Sequence, residues 1–358
     1  MKIQKVELAN KIGKLKSIVP KRTPMAALQA VYYNKGYLIA SDIELTVTVK
    51  LEGITEGLEE SFLIPESVFQ LISSLPAGLV EFKTKDIIVS KRQGIEMKSG
   101  KIVNKFQAEA PEQFPASKEM GEEQMQATID AEELKAGILH VLFAVGENTS
   151  QKMMSALCMD CHDGEINLTG LDGHMIAWDK IPLEGTFKLL VPKRACQQLI
   201  NLDLQGDVKI TADAHTVRFE TEYVTLETRL IDGNFFDTNK LFMEMPITAA
   251  VNRKEFLDAI SRAALCRQDN DAIKLTYRED AVTIEINNSK NEYRETVTLN
   301  DSIPEEIRIG MDPRLLSAAL KAFDSENIYM NMADSKSPMK LLSDESDLKS
   351  IVLPIMIK

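Results

Sequence analysis

The stretch LTGLDGHMIAWD, residues 168–179, sets an acidic residue and a histidine, Asp172 and His174, on either side of a glycine after an apolar run. A histidine oriented by a carboxylate can act as a general base, but catalysis then needs a nucleophile within reach. The sequence contains no nucleophile elbow, phosphate loop or metal-ligand set that would complete such a site. Since glycine accepts positive φ and aspartate bonds to nearby backbone, Asp172 and Gly173 are predicted to form a turn, and no catalytic residue is expected.

The string CMDCH, which begins at Cys158, matches the C-x-x-C-H pattern of covalent haem attachment. Haem attachment of this kind requires export, and the N-terminus lacks the continuous apolar stretch of a signal peptide. The surrounding stretch MSALCMDC is typical of a strand, in which Cys158 and Cys161 would point to opposite faces. There is no second C-x-x-C, and the histidines show no metal-ligand spacing: His140, His162, His174 and His215. The cysteines, which include Cys196 and Cys266, are predicted to be packing residues, and neither a metal nor a cofactor is expected.

The composition is that of a soluble globular protein. The chain has 358 residues, of which 44% are hydrophobic and 27% are charged. That length predicts two or three domains of ordinary size. No run approaches the roughly 20 apolar residues of a membrane-spanning helix. Together with the N-terminus, this predicts a cytoplasmic protein without a membrane partner.

The distribution of charge is uneven. The formal net charge of −12 argues against a nucleic-acid partner, because the phosphate backbone is bound by cations. The first 22 residues nevertheless contain one acid, Glu7, and seven basic residues: Lys2, Lys5, Lys11, Lys14, Lys16, Lys21 and Arg22. This predicts a local basic patch on an acidic protein, although a solvated helix face explains the same run.

The chain repeats one layout three times. Proline marks the start of a helix in IPESVFQLISSL, VPKRACQQLINL and MDPRLLSAALKAF, and these prolines, Pro65, Pro192 and Pro313, are spaced 127 and 121 residues apart. Proline suits the first turn of a helix, where its missing N–H costs nothing. An amphipathic helix lies upstream of each: VELANKIGKLKSIV, AEELKAGILHVLFAV and NRKEFLDAISRAAL.

Segments with period-2 alternation follow each proline-marked helix and predict strands. The sequence therefore predicts an α+β protein of three tandem repeats, each with two helices and about eight short strands packed as antiparallel sheets. The predicted domain boundaries lie near residues 125 and 245, which gives domains 1–125, 126–245 and 246–358.

Four strings, in order along this threefold repeat, resemble the bacterial β sliding clamp, the beta subunit of DNA polymerase III. GYLIASDIEL, with Asp42 and Glu44, is similar to the first-domain strand pair of that family, and GEINLTGLDGHMIA to its second-domain Thr-Asp-Gly-His-Arg-Leu-Ala. TRLIDGNFFD is similar to the end of domain two, and IVLPIMIK to the C-terminal Met-Pro-Met-Arg-Leu. The resemblance covers the whole chain.

The resemblance implies a DNA-clamp (processivity) fold that closes as a head-to-tail homodimer ring of six domains, with helices around a hole for duplex DNA. It implies a non-catalytic processivity factor without a cofactor. The implied partners are double-stranded DNA of any sequence, the replicative DNA polymerase catalytic subunit, the clamp loader and other clamp-binding repair proteins.

Basic side chains on the inward helices would attract phosphates without contacting bases, which permits sliding. Lys193 and Arg194 match basic residues at the start of the equivalent helix of the family. The full set of candidates for the DNA-lining surface is Lys11, Lys14, Lys16, Lys21, Arg22, Lys193, Arg194, Arg262, Arg267, Arg314 and Lys321. Solvated surface charge is the alternative for each.

The resemblance also implies a groove for partner peptides between domains two and three. Carried over by position, it comprises Met154, Leu171, Gly173, His174, Met175, Ile176, Phe236, Leu241, Ile351, Leu353, Pro354, Ile355, Met356 and Ile357. An ordinary core role is the alternative for most of them. Met175 and Met356 stand where the family has arginine, Phe236 stands where it has proline, and Lys358 extends the C-terminus, so the groove is expected to be more apolar and less basic than usual.

At the dimer interface, position suggests that Phe106 of one copy meets Leu265 and Cys266 of the other. Two alternatives to an ordinary clamp stay open: a divergent or mobile-element paralogue serving another polymerase, and a protein-binding scaffold that has lost its DNA function.

Overall fold

The structure is a computed structural model that describes residues 1–88, 92–115, 120–121, 124–147, 151–238, 241–242, 244–268 and 271–357. The chain forms two compact units. Unit 1 contains Met1–Glu132 and Gln198–Leu230, and unit 2 contains Glu133–Gln197 and Ile231–Lys358. Within the described residues, no helix combines the length and apolar character needed to cross a lipid bilayer.

One order of elements occurs three times along the chain: a strand, a helix, three strands, a further strand, a second helix and three final strands. The first repeat consists of β1 (Lys2–Gln4), α1 (Lys5–Leu15), β2 (Ala30–Asn34), β3 (Tyr37–Ser41), β4 (Leu45–Lys50), β5 (Ser61–Pro65), α2 (Glu66–Ser74), β6 (Leu79–Ile88), β7 (Arg92–Ser99) and β8 (Ile102–Glu109).

The second repeat consists of β9 (Met125–Asp130), α3 (Ala131–Leu142), β10 (Ala156–His162), β11 (Glu165–Leu171), β12 (Met175–Pro182), β13 (Phe187–Pro192), α4 (Lys193–Asn201), β14 (Asp207–Ala212), β15 (Thr216–Glu220) and β16 (Val224–Arg229). The third consists of β17 (Ile247–Asn252), α5 (Arg253–Leu265), β18 (Ile273–Arg278), β19 (Ala281–Asn287), β20 (Glu292–Thr298), β21 (Ile307–Met311), α6 (Pro313–Lys321), β22 (Asn327–Met332), β23 (Met339–Leu342) and β24 (Lys349–Val352). The predicted α+β fold with two helices and about eight strands per repeat is confirmed; the domain boundaries near 125 and 245 stay a prediction.

Four antiparallel sheets organise these strands. Unit 1 contains sheet 1, in the order β1-β6-β7-β8, and sheet 2, in the order β5-β2-β3-β4-β16-β15-β14-β9. Unit 2 contains sheet 3, in the order β13-β10-β11-β12-β24-β23-β22-β17, and sheet 4, in the order β20-β19-β18-β21. Each eight-stranded sheet thus joins halves from two successive repeats, through the pairs β4–β16 and β12–β24.

Aromatic side chains fill the core of unit 1. Tyr33 on β2 and Phe62 on β5 have ring centroids 5.0 Å apart, and Phe62 stacks at 5.3 Å on Phe82 of β6. The Tyr33 hydroxyl donates to the carbonyl of Gly57 at 2.9 Å, so its polar end is satisfied within the core. Because Phe62 and Phe82 belong to different sheets, their contact holds sheet 1 against sheet 2.

The core of unit 2 is built in the same way. Phe256 on α5 and Tyr277 on β18 are fully buried, and α5 packs against α6. The Tyr277 hydroxyl lies 3.1 Å from the Met330 sulfur, and burial raises the pKa of Tyr277 far above its ordinary value. The phenol therefore stays neutral inside the core.

The proline-started helices need a correction. Only Pro313 is the first residue of its helix, where its ring fits the free N-terminal turn. Pro65 and Pro192 are the last residues of β5 and β13, one position before α2 and α4. Pro65 has φ −64° and ψ 148°, and since proline fixes only φ, its backbone is equally suited to end a strand.

A buried carboxylate of unit 2 is paired with a helix histidine. Asp179 on β12 accepts the N–H of Lys180 at 2.9 Å, and its other oxygen lies 2.6 Å from Nδ1 of His140 on α3. The hydrogen bond to Asp179 raises the pKa of His140 above its ordinary 6.5, more than burial lowers it. The pair ties α3 to sheet 3.

We expect this pair to make the stability of the protein depend on pH. Because the folded pKa of His140 is raised, the charged pair stabilises fully below the ordinary value of 6.5, and the stabilisation is lost as pH rises through the folded pKa. His140→Gln should therefore lower the free energy of unfolding by about 1–3 kcal/mol near pH 6, and by less near pH 9.

Urea unfolding followed by the fluorescence of the single tryptophan, Trp178, measures this difference. His162→Gln is the matched control, because His162 is exposed and its partner Asp163 is almost fully exposed. An equal loss for His140→Gln at both pH values would contradict the charged pair.

Candidate protein-binding groove and basic surface

The turn between β11 and β12 is held by Asp172. Its Oδ1 accepts the N–H groups of His174 at 2.8 Å and Met175 at 2.9 Å, while its own N–H donates to the Met175 carbonyl. Gly173 has φ 90°, which glycine adopts without strain. The carboxylate is committed to backbone, so the predicted turn is confirmed.

The C-terminal segment after β24 continues from this turn. The N–H of Leu353 donates to the carbonyl of His174 at 2.8 Å, and the N–H of Ile355 donates to the carbonyl of Gly310 on β21 at 2.8 Å. A Cβ at Gly310 would clash with the Ile355 oxygen and with the Ile357 side chain, so a glycine there lets the segment lie close to β21. The last residues are therefore fixed by backbone bonds while their apolar side chains stay exposed.

Many side chains predicted for the groove are large, apolar and exposed to solvent. Met356 is 73% exposed, and the other exposed apolar residues of the predicted groove are Phe236, Leu241, Leu353 and Ile357. Exposed apolar side chains that cluster mark a surface for another molecule. The backbone bonds of Leu353 and Ile355 hold part of this set beside the turn, and Lys358 lies outside the described residues.

Other predicted groove residues form the base beneath that surface. Leu171, Met175 and Ile351 are buried, and Ile176 pairs with Leu171 on one side and with Ile351 on the other. A Cβ added at Gly173 would lie 4.0 Å from the Met154 sulfur, so Met154 lies near the turn. Ile351 is thus a buried residue of sheet 3 and Leu241 is exposed, and the assignment of both to the groove stays a prediction.

The sequence did not predict the aromatic pair that lies near Ile176. Trp178 lies two residues further along β12, its ring centroid is 6.3 Å from that of Phe242, and the Lys349 ammonium lies 4.6 Å above it. The strand period of two was the available signal, because it places Trp178 on the same face as Ile176.

Three of the four cysteines, Cys158, Cys161 and Cys196, are buried, and Cys266 is half-buried. Cys158 lies on β10 in an apolar cluster with Ala156 and Leu190, and burial raises its pKa to about 12. Cys161 points to the other face and donates to the Leu183 carbonyl. No group of histidine, cysteine or acidic side chains that could hold a metal ion occurs in the described part of the chain.

The basic residues near the N-terminus line one helix and the turns after it. Lys11 and Lys14 lie on α1, Lys16 is its C-cap residue, and Lys21 and Arg22 follow in exposed bends. Lys14 forms an ion pair with Asp203 of the same unit. Lys16, Lys21 and Arg22 are the exposed cations of this run.

Lys193 at the start of α4 has an internal role. Its ammonium donates to the carbonyl of Val145 at 2.6 Å and pairs with Glu147 at 3.0 Å, and the side chain is mostly buried. Val145 follows the C-terminal end of α3, where a cation satisfies free carbonyls. Arg194, the next residue, is exposed.

The arginines near α5 and α6 are paired with acids. Arg262 meets Glu295 of β20 at 3.0 Å, and Arg314 meets Asp312, the N-cap residue of α6, at 2.8 Å. Arg267 also pairs with Asp312, at 3.4 Å, and only 8% of its side chain is exposed. Lys321, in the last turn of α6, is exposed.

The three residues predicted for the dimer interface lie at the margins of their units. Phe106 is half-buried on β8, the edge strand of sheet 1. Leu265 ends α5 and is 85% exposed, and Cys266 is the half-buried C-cap residue after it.

Comparison with known protein families gives two matches. The model of the central domain of the DNA polymerase III beta subunit matches residues 128–237, and the model of its C-terminal domain matches residues 243–356. Together they cover more than half of the chain.

Relatives and solved structures agree with these matches. The beta sliding clamp of Staphylococcus epidermidis is 25% identical over 364 residues, which cover 95% of this chain and 94% of the relative. The crystal structure of the DNA polymerase sliding clamp of Bacillus subtilis matches with a TM-score of 0.88 at 22% identity, covering 100% of this chain and 99% of that one. The sliding clamp of Pseudomonas aeruginosa matches with a TM-score of 0.91 at 19% identity over the same shares. With this likeness along its length, the chain belongs to the bacterial beta sliding clamps, the beta subunits of DNA polymerase III, as a divergent member.

Proposed function

We propose that two copies of this chain close into a ring around duplex DNA and tether a replicative DNA polymerase to it. The family consists of non-catalytic processivity factors. One observation supports the proposal most directly. The four-stranded sheets 1 and 4 each have an unpaired edge strand, and the equivalent strands of the other repeats pair with each other inside the chain.

The internal pairs fix which edges correspond. β4 and β12 each end a run of three strands, and they pair with β16 and β24, the last strands of the next repeats. By position in the repeat, β20 corresponds to β4 and β12, whereas β8 corresponds to β16 and β24. β20 and β8 are both edge strands. β20 of one copy can therefore pair with β8 of a second copy, as β4 pairs with β16 inside the chain.

Apolar side chains lie at both edges. Ile102 and Val103 on β8 are exposed, as is Leu265 at the end of α5, the helix that packs against β20. Exposure of the apolar Leu265 side chain to water is unfavourable. Contact with Phe106 of a second copy would remove both side chains from water. Two such head-to-tail junctions close a ring, because each copy brings one edge of each kind.

Lys16, Lys21, Arg22, Arg194 and Lys321 are our candidates for contact with DNA phosphates, because all are exposed. Lys11 and Lys14 belong to the same α1 surface, with Lys14 already paired to Asp203. Internal carboxylates or carbonyls already bind four other candidates, so we expect these to contribute less to DNA binding: Lys193, Arg262, Arg267 and Arg314. Such contacts carry no base information and leave the ring free to slide.

The apolar surface of unit 2 is our candidate site for the polymerase, the clamp loader and repair proteins. Met154, Gly173, His174, Met175 and Ile176 surround the turn, and the C-terminal segment borders it. Met175 is buried and Met356 exposed, so the methionines supply both a base and an adaptable rim for short peptides. This function places the protein in the cytoplasm, where the chromosome is replicated.

Leu265→Asp should disrupt the ring. A buried unpaired carboxylate at the junction is unfavourable, so at about micromolar concentration light scattering should give the 40.0 kDa monomer instead of twice that mass. Leu139→Asp is the matched control, because Leu139 is equally a helix leucine with an exposed side chain. A wild-type protein of 40.0 kDa, or an unchanged mass for Leu265→Asp, would contradict the proposed junction.

Replacing Lys16 and Lys21 with glutamate should weaken retention on circular DNA. Removing one lysine–phosphate ion pair reduces the slope of log K against log salt by about 0.9, so the double variant should lower the slope by roughly 1–2 while the dimer persists. Lys336→Glu, an exposed lysine between β22 and β23 and away from the proposed dimer edges, is the control. An unchanged slope for the double variant would mean that α1 does not face DNA.

Deleting residues 354–358 should abolish binding of peptides from the replicative polymerase. The deletion removes the exposed Met356 and the backbone bond of Ile355, while β24 and the dimer edges remain.

Since deletion also uncovers Gly310, the point variant Met356→Lys gives a second measurement, with an expected loss of about tenfold for one anchor side chain. Fluorescence anisotropy measures the affinity, with Leu58→Lys as an exposed apolar control. Unchanged affinity in both variants would show that the peptides bind elsewhere.

A further inference from the structure

Unit 1 has a cavity of its own on the outer face of sheet 2. Its volume is about 900 Å³. Tyr32 and Ile39 lie on its floor, on the face opposite the buried Tyr33, and Phe114 forms a wall with its ring centroid 5.1 Å from that of Tyr32. The rest of the lining is mainly polar and charged, so the cavity combines an apolar floor with polar groups that could orient a bound molecule.

The cavity occupies the position in unit 1 that the apolar surface occupies in unit 2. Asp42 Oδ1 accepts the N–H groups of Glu44 and Leu45, as Asp172 does at its own turn. The N–H of Arg229 donates to the Glu44 carbonyl at 2.9 Å, which matches the bond from Leu353 to His174. By these bonds Ile43 corresponds to Gly173, and Arg229 corresponds to Leu353.

The two positions differ in charge. Four carboxylates line the cavity, and one guanidinium, Arg229, opposes them: Glu44, Glu112, Asp213 and Glu227. Glu227 is neutralised by Arg218 at 2.7 Å, whereas Glu44 and Glu112 are exposed and make no ion pair within the described residues. The fourteen residues predicted for the unit 2 groove include no carboxylate.

Asp213 keeps its charge at the edge of the cavity. Its oxygens accept backbone N–H groups from Gly121 at 2.7 Å and from His215 and Thr216 at 2.8 Å. Partial burial opposes ionisation, but these three donors outweigh it and hold the pKa of the carboxyl below its ordinary value. The negative charge is therefore fixed in place at neutral pH.

Ile43 is a strained apolar residue at the mouth of the cavity. Its φ is 82°, in the left-handed region that β-branched residues rarely adopt, and its side chain is 52% exposed. In the free protein the Ile43 side chain is not buried, so no packing energy offsets its backbone strain. A bound molecule that covers the side chain would do so, and backbone strain of this kind is common where ligands bind.

We propose that this cavity binds a short protein segment in which one or two large apolar side chains are flanked by lysine or arginine. The apolar floor and the exposed Ile43 take the anchors, and Glu44, Glu112 and Asp213 attract the basic neighbours. The same carboxylates repel a nucleic-acid backbone. The cavity therefore favours a basic partner, whereas the residues predicted for the unit 2 groove include no carboxylate, so one clamp would offer two binding sites of different charge.

Two fluorescein-labelled pentapeptides test the proposal: a leucine–phenylalanine pair flanked by lysines, and the same pair flanked by glutamates. The lysine peptide should bind with a Kd on the order of 10–100 μM and at least about tenfold more tightly than the glutamate peptide. Binding should shift the δ1-methyl NMR signals of Ile39 and Ile43. Equal affinities, or shifts confined to Ile176 and Ile351, would overturn the proposal.

Variants separate this site from the rest of the molecule. The double variant Glu44→Lys with Glu112→Lys should lower the affinity for the lysine peptide about tenfold or more. Glu305→Lys, which changes an exposed acid outside the cavity, should leave that affinity within about twofold.

Ile43→Gly should weaken binding and raise the melting temperature, because glycine relieves the positive φ. A purely structural role for Ile43 predicts no loss of binding. These measurements need neither DNA nor the ring, so their failure is distinguishable from failure of the proposed clamp function.

Discussion

The antiparallel pairing of strands from successive repeats is the constraint on which the rest of the structure depends. The edges of a four-stranded sheet carry unpaired N–H and C=O groups, and β4–β16 and β12–β24 satisfy them with backbone of the next repeat. The turns before β4 and β12 continue this pairing, since Glu44 and His174 accept one more N–H from the joining strand. The aspartates at these turns therefore act on the junction between repeats, and this explains why a residue that suggests catalysis is a structural one.

Much of this architecture could be predicted from periodic patterns, because helix and strand periods and turn chemistry are local. The three repeats, the Asp172 turn and the strand around Cys158 all follow from such patterns. Proline was misleading at α2 and α4, because its fixed φ fits the end of a strand as well as the start of a helix. Local pattern alone cannot separate the two.

The candidate site was less predictable because its chemistry depends on distant partners. Lys193 has the appearance of a free cation in sequence, yet it meets the Val145 carbonyl 48 positions earlier. Arg267 is similarly held by Asp312 of the following helix. Trp178 was within reach of the strand period, but its neighbour Phe242 was not, since the segment that carries Phe242 has no regular period.

The ion pairs also bear on how an acidic chain can hold DNA and still slide. Lys14 and Arg262 each have a carboxylate from elsewhere in their own unit, so a phosphate must compete with Asp203 or Glu295 for them. Ion pairs near the surface contribute little to stability, so displacement of the carboxylate by a phosphate costs little. Cations without such partners attract phosphates more strongly, and in the proposed ring a few of them near α1 would provide the net attraction. A surface that mixes both kinds binds the backbone weakly at each position, and weak, sequence-independent contacts are what movement along DNA requires.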